Sequence, residues 1–219
     1  MIFSHSSLSL FESCPRRFYV EKVTGDTIPL PPSPEIQYGL DVHKGMEVAI
    51  ASGKAPEGSA AAYSDWLDIL PSGEKYAEVS LAVDCNFEPV EWDDEAAIFR
   101  GVVDVLIFDK DSIYIYDFKT GKRRFGFAQI DAYVVLTSSR YAPENIQGGY
   151  IWLKDSMVDL KEYDKEDMEA CKAALTLRIK TVQSALDDQD FDWYPQPSGL
   201  CRFCPVFACE FNRASAPGR

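Results

Sequence analysis

The chain has 219 residues, 46% of them hydrophobic, enough for one substantial domain or one domain with appendages. Its 22 Lys and Arg against 35 Asp and Glu give a net charge of −13, which excludes nucleic-acid binding through bulk charge and demands a local basic patch for any such contact. No apolar run approaches the ~20 residues of a membrane span, and Met1-Ile-Phe-Ser-His-Ser lacks the positive region and apolar core of a secretory signal, so a cytosolic location without membrane contact, and reduced cysteines, are expected.

In chain order, Ser4 to Tyr19 reads as a short helix capped by serines ahead of Leu8, Phe11 and Glu12. Pro15, after Cys14, either ends that helix or begins the next. Arg16 and Arg17 are candidate phosphate contacts or a solvated face. Thr27 to Pro34, with prolines at 29, 31, 32 and 34, is a loop. Glu35 to Ala51 reads as a helix, with Tyr38, Val42, Met46, Ala49 and Ile50 at helical spacing and His43 flanking that stripe. A loop follows over 52–59, and Ala60 to Leu70 is expected to be helical. Tyr76 to Val83 alternates as a strand with Glu78 and Ser80 on one face, and Glu91 to Glu95 is an acidic turn.

Gly101 to Lys119 is the stretch around which the chain is organised. Two runs rich in Val, Ile, Tyr and Phe flank the polar break Asp109-Lys-Asp-Ser112, a β-hairpin pattern. With the turn centred on Lys110-Asp111, Phe108 faces Ile113 and Asp104 falls opposite Asp117. Directly opposed side chains have Cβ atoms roughly 4.5–5.5 Å apart, so two acids there repel unless a cation lies between them; Mg²⁺ prefers carboxylate oxygens and retained waters. Lys119, two residues beyond Asp117, points from the same face. Solvent-facing charges on an amphipathic hairpin are the other reading of the same three residues.

After Lys119, the run Thr120-Gly-Lys-Arg-Arg124 is the densest positive cluster of the chain, so Lys122, Arg123 and Arg124 are candidate phosphate contacts. Phe127 to Thr137 reads as a helix with Gln129 and Tyr133 on one face, to contact a substrate backbone or to pack. Ile146 to Leu153 reads as a strand in which Gly148-Gly149 permits close approach. Asp164 to Asp187 is a long helix with Met168, Cys171, Leu175, Ile179, Val182 and Leu186 as its apolar stripe. Cys171 and Cys85 read as structural. The tail differs: Cys201-x2-Cys204-x4-Cys209 has tight ligand spacing, and Cys14 is the candidate fourth ligand. Four thiolates suit a structural Zn²⁺ or a [4Fe–4S] cluster, and such a site would join the two termini.

Taken together these pieces resemble the RecB-like branch of the PD-(D/E)XK nuclease superfamily, and among it the iron–sulfur members: CRISPR adaptation nucleases, AddB-type nuclease domains and phage exonucleases. The opening Ser-x-Ser-x-Leu-x-x-Phe-x-x-Cys-Pro-x-x-Phe/Tyr pattern matches Ser4 to Tyr19. The helical histidine matches His43, Gly-x-x-Asp matches Gly101 to Asp104, and Asp/Glu-x-Lys matches Asp117-Phe-Lys119 before Thr120-Gly121. Gln-x-x-x-Tyr matches Gln129 to Tyr133, and the last three cluster cysteines match Cys201, Cys204 and Cys209.

The resemblance implies an α/β fold: a three-layer, restriction-endonuclease-like core with a mixed central sheet flanked by helices. It implies a single nuclease domain over 1–219, in which 1–20 and 195–212 form a joint iron–sulfur-binding substructure around a [4Fe–4S] cluster held by Cys14, Cys201, Cys204 and Cys209. It also implies a metal-dependent DNA nuclease, an exonuclease of replication, recombination or repair of host or phage origin. Mg²⁺ or Mn²⁺ would be held by His43, Asp104, Asp117 and the Phe118 carbonyl, with Lys119 positioning the attacking water and Gln129 and Tyr133 orienting the strand. Glu78 would lie near the site, though it matches none of these motifs. A non-catalytic DNA-end-binding or adaptor module on the same fold is the alternative. The chain contains no Gly-x-x-x-x-Gly-Lys-Ser/Thr motif, so processing of long DNA, single-stranded or with a free end, would need a helicase, polymerase or recombination partner.

Overall fold

The computed structural model describes residues 1–27, 31–110 and 112–212. Residues 28–30 of the Pro-rich loop, Pro29 among them, and Asp111 of the hairpin turn lie outside the described residues. The chain divides into two compact units, Met1–Ile2 with Pro32–Leu175 and Phe3–Pro31 with Thr176–Arg219.

The first unit is built on a six-stranded mixed sheet of order β2-β1-β3-β4-β5-β6, comprising β1 Glu74–Val83, β2 Pro89–Val90, β3 Phe99–Asp109, β4 Ser112–Lys119, β5 Asn145–Trp152 and β6 Met157–Tyr163. β4 and β5 are parallel and every other pair is antiparallel. The helix α5, Ala128–Tyr141, makes the crossover that a parallel pair requires. The expected hairpin register is present, with Phe108 paired to Ile113 and Asp109 to Ser112. The ladder stops at Val105↔Tyr116, one residue short of the expected Asp104–Asp117 pair. There the Asp104 carboxylate replaces the strand, its Oδ2 accepting from the Phe118 N–H at 3.0 Å.

Helices cover both faces. On one, Val42 and Met46 of α3 (Pro34–Ser52) are fully buried in a cluster with Val105, Ile107, Tyr116, Phe118, Ile151 and Leu153. Ser33 caps α3, and its C-terminus ends at Gly53 in the left-handed region (φ +66°). On the other, the α5 residue Ile130 lies where a Cβ on Gly148 would be, 2.5 Å away, beside Ile115. Gly149 is required for a different reason: a Cβ there would lie 2.2 Å from the Asp159 carbonyl of the β6 neighbour. The two adjacent glycines thus admit a helix on one side and a strand backbone on the other.

Two expectations need correction. The stretch 60–70 is a 3₁₀ turn over Gly58–Tyr63 and a single α-turn, α4, over Asp65–Asp68, because Gly58 and Ser64 interrupt the pattern. Cys85 lies exposed in the turn after β1 and serves no core; the Asp84 side chain organises that turn by accepting from the Asn86 and Glu88 N–H groups.

In the second unit, α1 (His5–Ser13) opens on a reciprocal capping box between Ser4 and Ser7. Pro15 begins α2 (Pro15–Phe18), which continues as a π-helical turn over Tyr19–Thr24. Phe11, Phe18 and Tyr19 pack with Phe191 and Trp193, with ring centroids 4.6–6.3 Å apart. Arg178 reaches Glu12 from α6 (Lys165–Asp187), Nε to Oε1 at 2.6 Å. Of the α6 stripe, Met168, Cys171 and Leu175 belong to the first unit and Ile179 and Val182 to the second; all five are buried, with Ala185 in the place expected for Leu186. Among the described residues no helix is long and apolar enough to cross a membrane.

Candidate active site

β3 and β4 pair from Val105↔Tyr116 to the hairpin turn, and the site forms past the other end of that ladder, where the N-terminal half of β3 lies near the C-terminal end of β4. Asp104 is presented there by β3, Asp117 and Lys119 by β4, His43 by α3, and Gln129 and Tyr133 by α5. His43 Nδ1 lies 3.1 Å from Asp104 Oδ2. One ligand atom each from His43, Glu78 and Asp104 lie within 4.8 Å of one another, the set among the described residues with spacing for a single metal ion. An ion with bonds of about 2.1 Å spans ligand atoms up to about 4.2 Å apart, so modest side-chain rotation closes this set on one ion.

Asp117 sits beside that set, only 1% exposed. Its Oδ1 accepts from Gln129 Nε2 at 2.9 Å. Its Oδ2 is 2.5 Å from Lys119 Nζ, yet no donor is aligned on that oxygen as a hydrogen bond. Burial, then the charge of Asp104, pushes the Asp117 carboxyl up to about 7 despite the lysine. The carboxyl of Glu78, an exposed residue, is also raised, by its partial burial and then by Asp104 and Glu47. Burial opposes protonation of His43, but the hydrogen bond and charge of Asp104 outweigh it, and the imidazole is raised. The carboxylates therefore hold more negative charge than the protein around them neutralises, which is the condition a divalent cation relieves.

Lys119 is fixed from two sides, by Asp117 and by Gln129 Oε1, to which its Nζ donates at 3.0 Å. Gln129 Nε2 also donates to the Tyr133 hydroxyl at 2.8 Å. Tyr133 is 7% exposed, and burial followed by the charge of Asp117 raises its hydroxyl. Gln129 thus links Asp117, Lys119 and Tyr133 through hydrogen bonds.

Glu78 is the site residue the motifs did not supply. It falls between the Ala77↔Val105 and Val79↔Val103 pairs of β1 and β3, at the level of Asp104. Its backbone is left-handed (φ +52°), an uncommon state for a non-glycine residue that is concentrated at functional sites. The pairing register of β1 was the signal that would have found it.

The proposed phosphate contacts have mixed fates. Arg123 is held by Asp159, Nε donating to Oδ2 at 2.8 Å, whereas Lys122 and Arg124 are exposed. Arg16 and Arg17 belong to the second unit and pair with Glu210 and Glu21. In that unit Cys14, Cys201, Cys204 and Cys209 line one cavity together with Arg16, Arg17, Val206 and Phe211. The Gln196 and Ser198 N–H groups point at Cys14 Sγ (3.4 Å) and Cys201 Sγ (3.2 Å).

A sequence profile of the PD-(D/E)XK nuclease superfamily matches residues 2–209. No curated protein matches the chain. Among solved structures, a candidate exonuclease from Eubacterium rectale aligns over 100% of this chain and 89% of its own, with a TM-score of 0.52 at 11% identity. The crystal structure of SSO0001 aligns over 96% and 87%, with a TM-score of 0.49 at 16% identity.

Proposed function

The chain belongs to the PD-(D/E)XK nuclease superfamily, and on that premise we propose that it is a DNA exonuclease using Mg²⁺ or Mn²⁺ at the site of His43, Glu78, Asp104 and Asp117, with the Phe118 carbonyl completing the set. The observation that carries this reading is the placement of a buried acid, Asp117, with one oxygen lacking an aligned donor, beside three ligand atoms within 4.8 Å of one another. When bound, a divalent ion would stabilise charge on the phosphoryl oxygens and lower the pKa of a bound water. Lys119, positioned by Asp117 and Gln129, supplies a fixed positive charge for the same oxygens. His43 and Glu78 complete the ligand field from the α3 and β1 sides.

Cleavage of end-labelled single- and double-stranded DNA, with Mn²⁺ or Mg²⁺ and with EDTA, tests this. Metal-dependent release of mononucleotides or short oligomers from one end is expected, falling steeply with salt as phosphate contacts by Lys122 and Arg124 are screened. Nicking of closed circular DNA would instead make the protein an endonuclease. DNA binding without turnover in any metal would assign it to the non-catalytic end-binding class.

The second unit fits a [4Fe–4S] cluster held by Cys14, Cys201, Cys204 and Cys209. All six cysteines are free and four of them face one cavity. Thiolates on a single Zn²⁺ lie at about 2.3 Å from the ion, hence within about 4 Å of one another. Zn²⁺ is the alternative for four thiolates, and the cavity they share is the observation that supports a metal group. Its role here is to fold the unit. With no motor motif in the chain, DNA ends would be delivered by a helicase, polymerase or recombination partner, in a host or phage-infected cytosol.

A further inference from the structure

The segment 120–127 leaves Lys119 at the end of β4 and leads into α5. Its middle is anchored. Arg123 grips both oxygens of Asp159 on β6, and Trp152 Nε1 donates to the same carboxylate at 2.7 Å. Trp152 is the β5 partner of Lys119 in the parallel register. The anchor therefore fixes this segment to β6 and, through Trp152, to the strand that pairs with Lys119.

Beyond the anchor the segment faces water. Lys122 and Arg124 are exposed and make no ion pair with the described residues. Phe125 is 98% exposed, with the Arg123 guanidinium 5.8 Å from its ring centroid. A phenylalanine held almost wholly in water forgoes the stabilisation that burial gives such a ring. Here the Arg123–Asp159 salt bridge anchors the segment two residues before the ring, and the exposed Lys122 and Arg124 precede it, in a chain whose net charge is −13.

We propose that Phe125 is a base-stacking residue that packs on an unpaired nucleobase of the substrate strand while Lys122 and Arg124 neutralise the flanking phosphates. This rests on the nuclease reading and narrows its substrate to nucleic acid with a single-stranded stretch at the site. Every base offers a π-face to an aromatic side chain, which makes such contacts tolerant of sequence. Within a duplex those faces are covered by neighbouring base pairs, so an exposed ring engages a strand only where it is unpaired. A protein partner would also accept an exposed aromatic. The cations immediately before the ring, and its position six residues from Lys119 in sequence, favour a polyanion that must reach the same centre.

The test is the affinity of the full chain for a labelled single-stranded oligonucleotide and for a blunt duplex of the same sequence, by fluorescence anisotropy without added divalent metal. Phe125→Ala is expected to weaken single-strand binding roughly 5- to 150-fold, to leave duplex binding nearly unchanged, and to be rescued by Phe125→Trp. The ring buries nothing, so circular dichroism of the variants should match wild type. Single-strand affinity unaffected by Phe125→Ala would overturn the proposal. So would equal losses on single strand and duplex, or a wild-type protein that does not bind single strands. Because no turnover is needed, a wild type that binds but never cleaves would sink the nuclease reading while leaving this comparison intact.

Discussion

Asp117→Asn is expected to abolish cleavage and, in the metal-free protein, to raise stability. The two effects have one cause. Asp117 is buried against Asp104, with Glu78 close by, and its carboxyl is pushed up to about 7 by burial and by Asp104. Removing its charge removes a metal ligand, for which we expect a loss of at least about 10³-fold in rate, since a metal supplies several kcal/mol of transition-state stabilisation. It also removes the cost of burying that charge, on the order of 4 kcal/mol at pH 8 for a carboxyl moved from near 3.9 to about 7.

The pH dependence fixes the sign. An unfolded Asp ionises near 3.9, whereas folded Asp117 keeps its proton up to about 7. The folded state thus holds more protons between those values, so metal-free wild type loses stability as pH rises from about 4 through about 7. Glu78 and His43, both raised, act in the same direction. Urea unfolding in EDTA at pH 5 and pH 8 should show the advantage of the Asn variant growing with pH, and added Mn²⁺ should stabilise wild type more than the variant. A variant less stable than wild type at pH 8 without metal would contradict this account of the site.

The second large effect is expected from Cys201→Ser, and it falls on folding. Among its described residues the second unit has a small aromatic core of Phe11, Phe18, Tyr19, Phe191 and Trp193, and no sheet. A metal group held by four thiolates from both ends of the chain would carry much of its stability, since structural metal binding is worth about 10 kcal/mol in small zinc domains. Cys201→Ser should therefore lower iron and sulfide content, solubility and thermal midpoint. Any soluble fraction should retain cleavage, because His43, Glu78, Asp104, Asp117 and Lys119 all belong to the first unit. A soluble variant of normal thermal stability that has lost cleavage would make the cysteines part of the chemistry instead.

Much of this site was legible before the fold was known, because its residues lie in short local patterns. Asp117 and Lys119 are two apart on one strand, Gln129 and Tyr133 are one helical turn apart, and the β3–β4 register followed from the turn. Features that depend on distant chain were not legible. Glu78 gains its place from the pairing of β1 with β3 and from a left-handed backbone. Arg123 sits in a run of cations, and only the position of Asp159 on β6 withdraws it from that run. β6 itself was missed: Met157, Val158 and Leu160 are all more than a third exposed, so its sequence gives no buried face to detect. The splay of β3 and β4 beyond Val105 is a tertiary outcome, since nothing in Gly101-Val-Val-Asp104 dictates that Asp104 bonds the Phe118 N–H rather than facing Asp117.

Lys119 is expected to act in the chemistry and not in metal binding. The measurement is cleavage of single-stranded DNA by wild type and Lys119→Ala, beside Mn²⁺ affinity for both by titration calorimetry. We expect wild type to cleave with metal and stop in EDTA, and Lys119→Ala to bind Mn²⁺ with comparable affinity while losing cleavage by about 10²- to 10³-fold. Cleavage by Lys119→Ala at the wild-type rate, with metal bound, would contradict the assignment of this site as the nuclease centre.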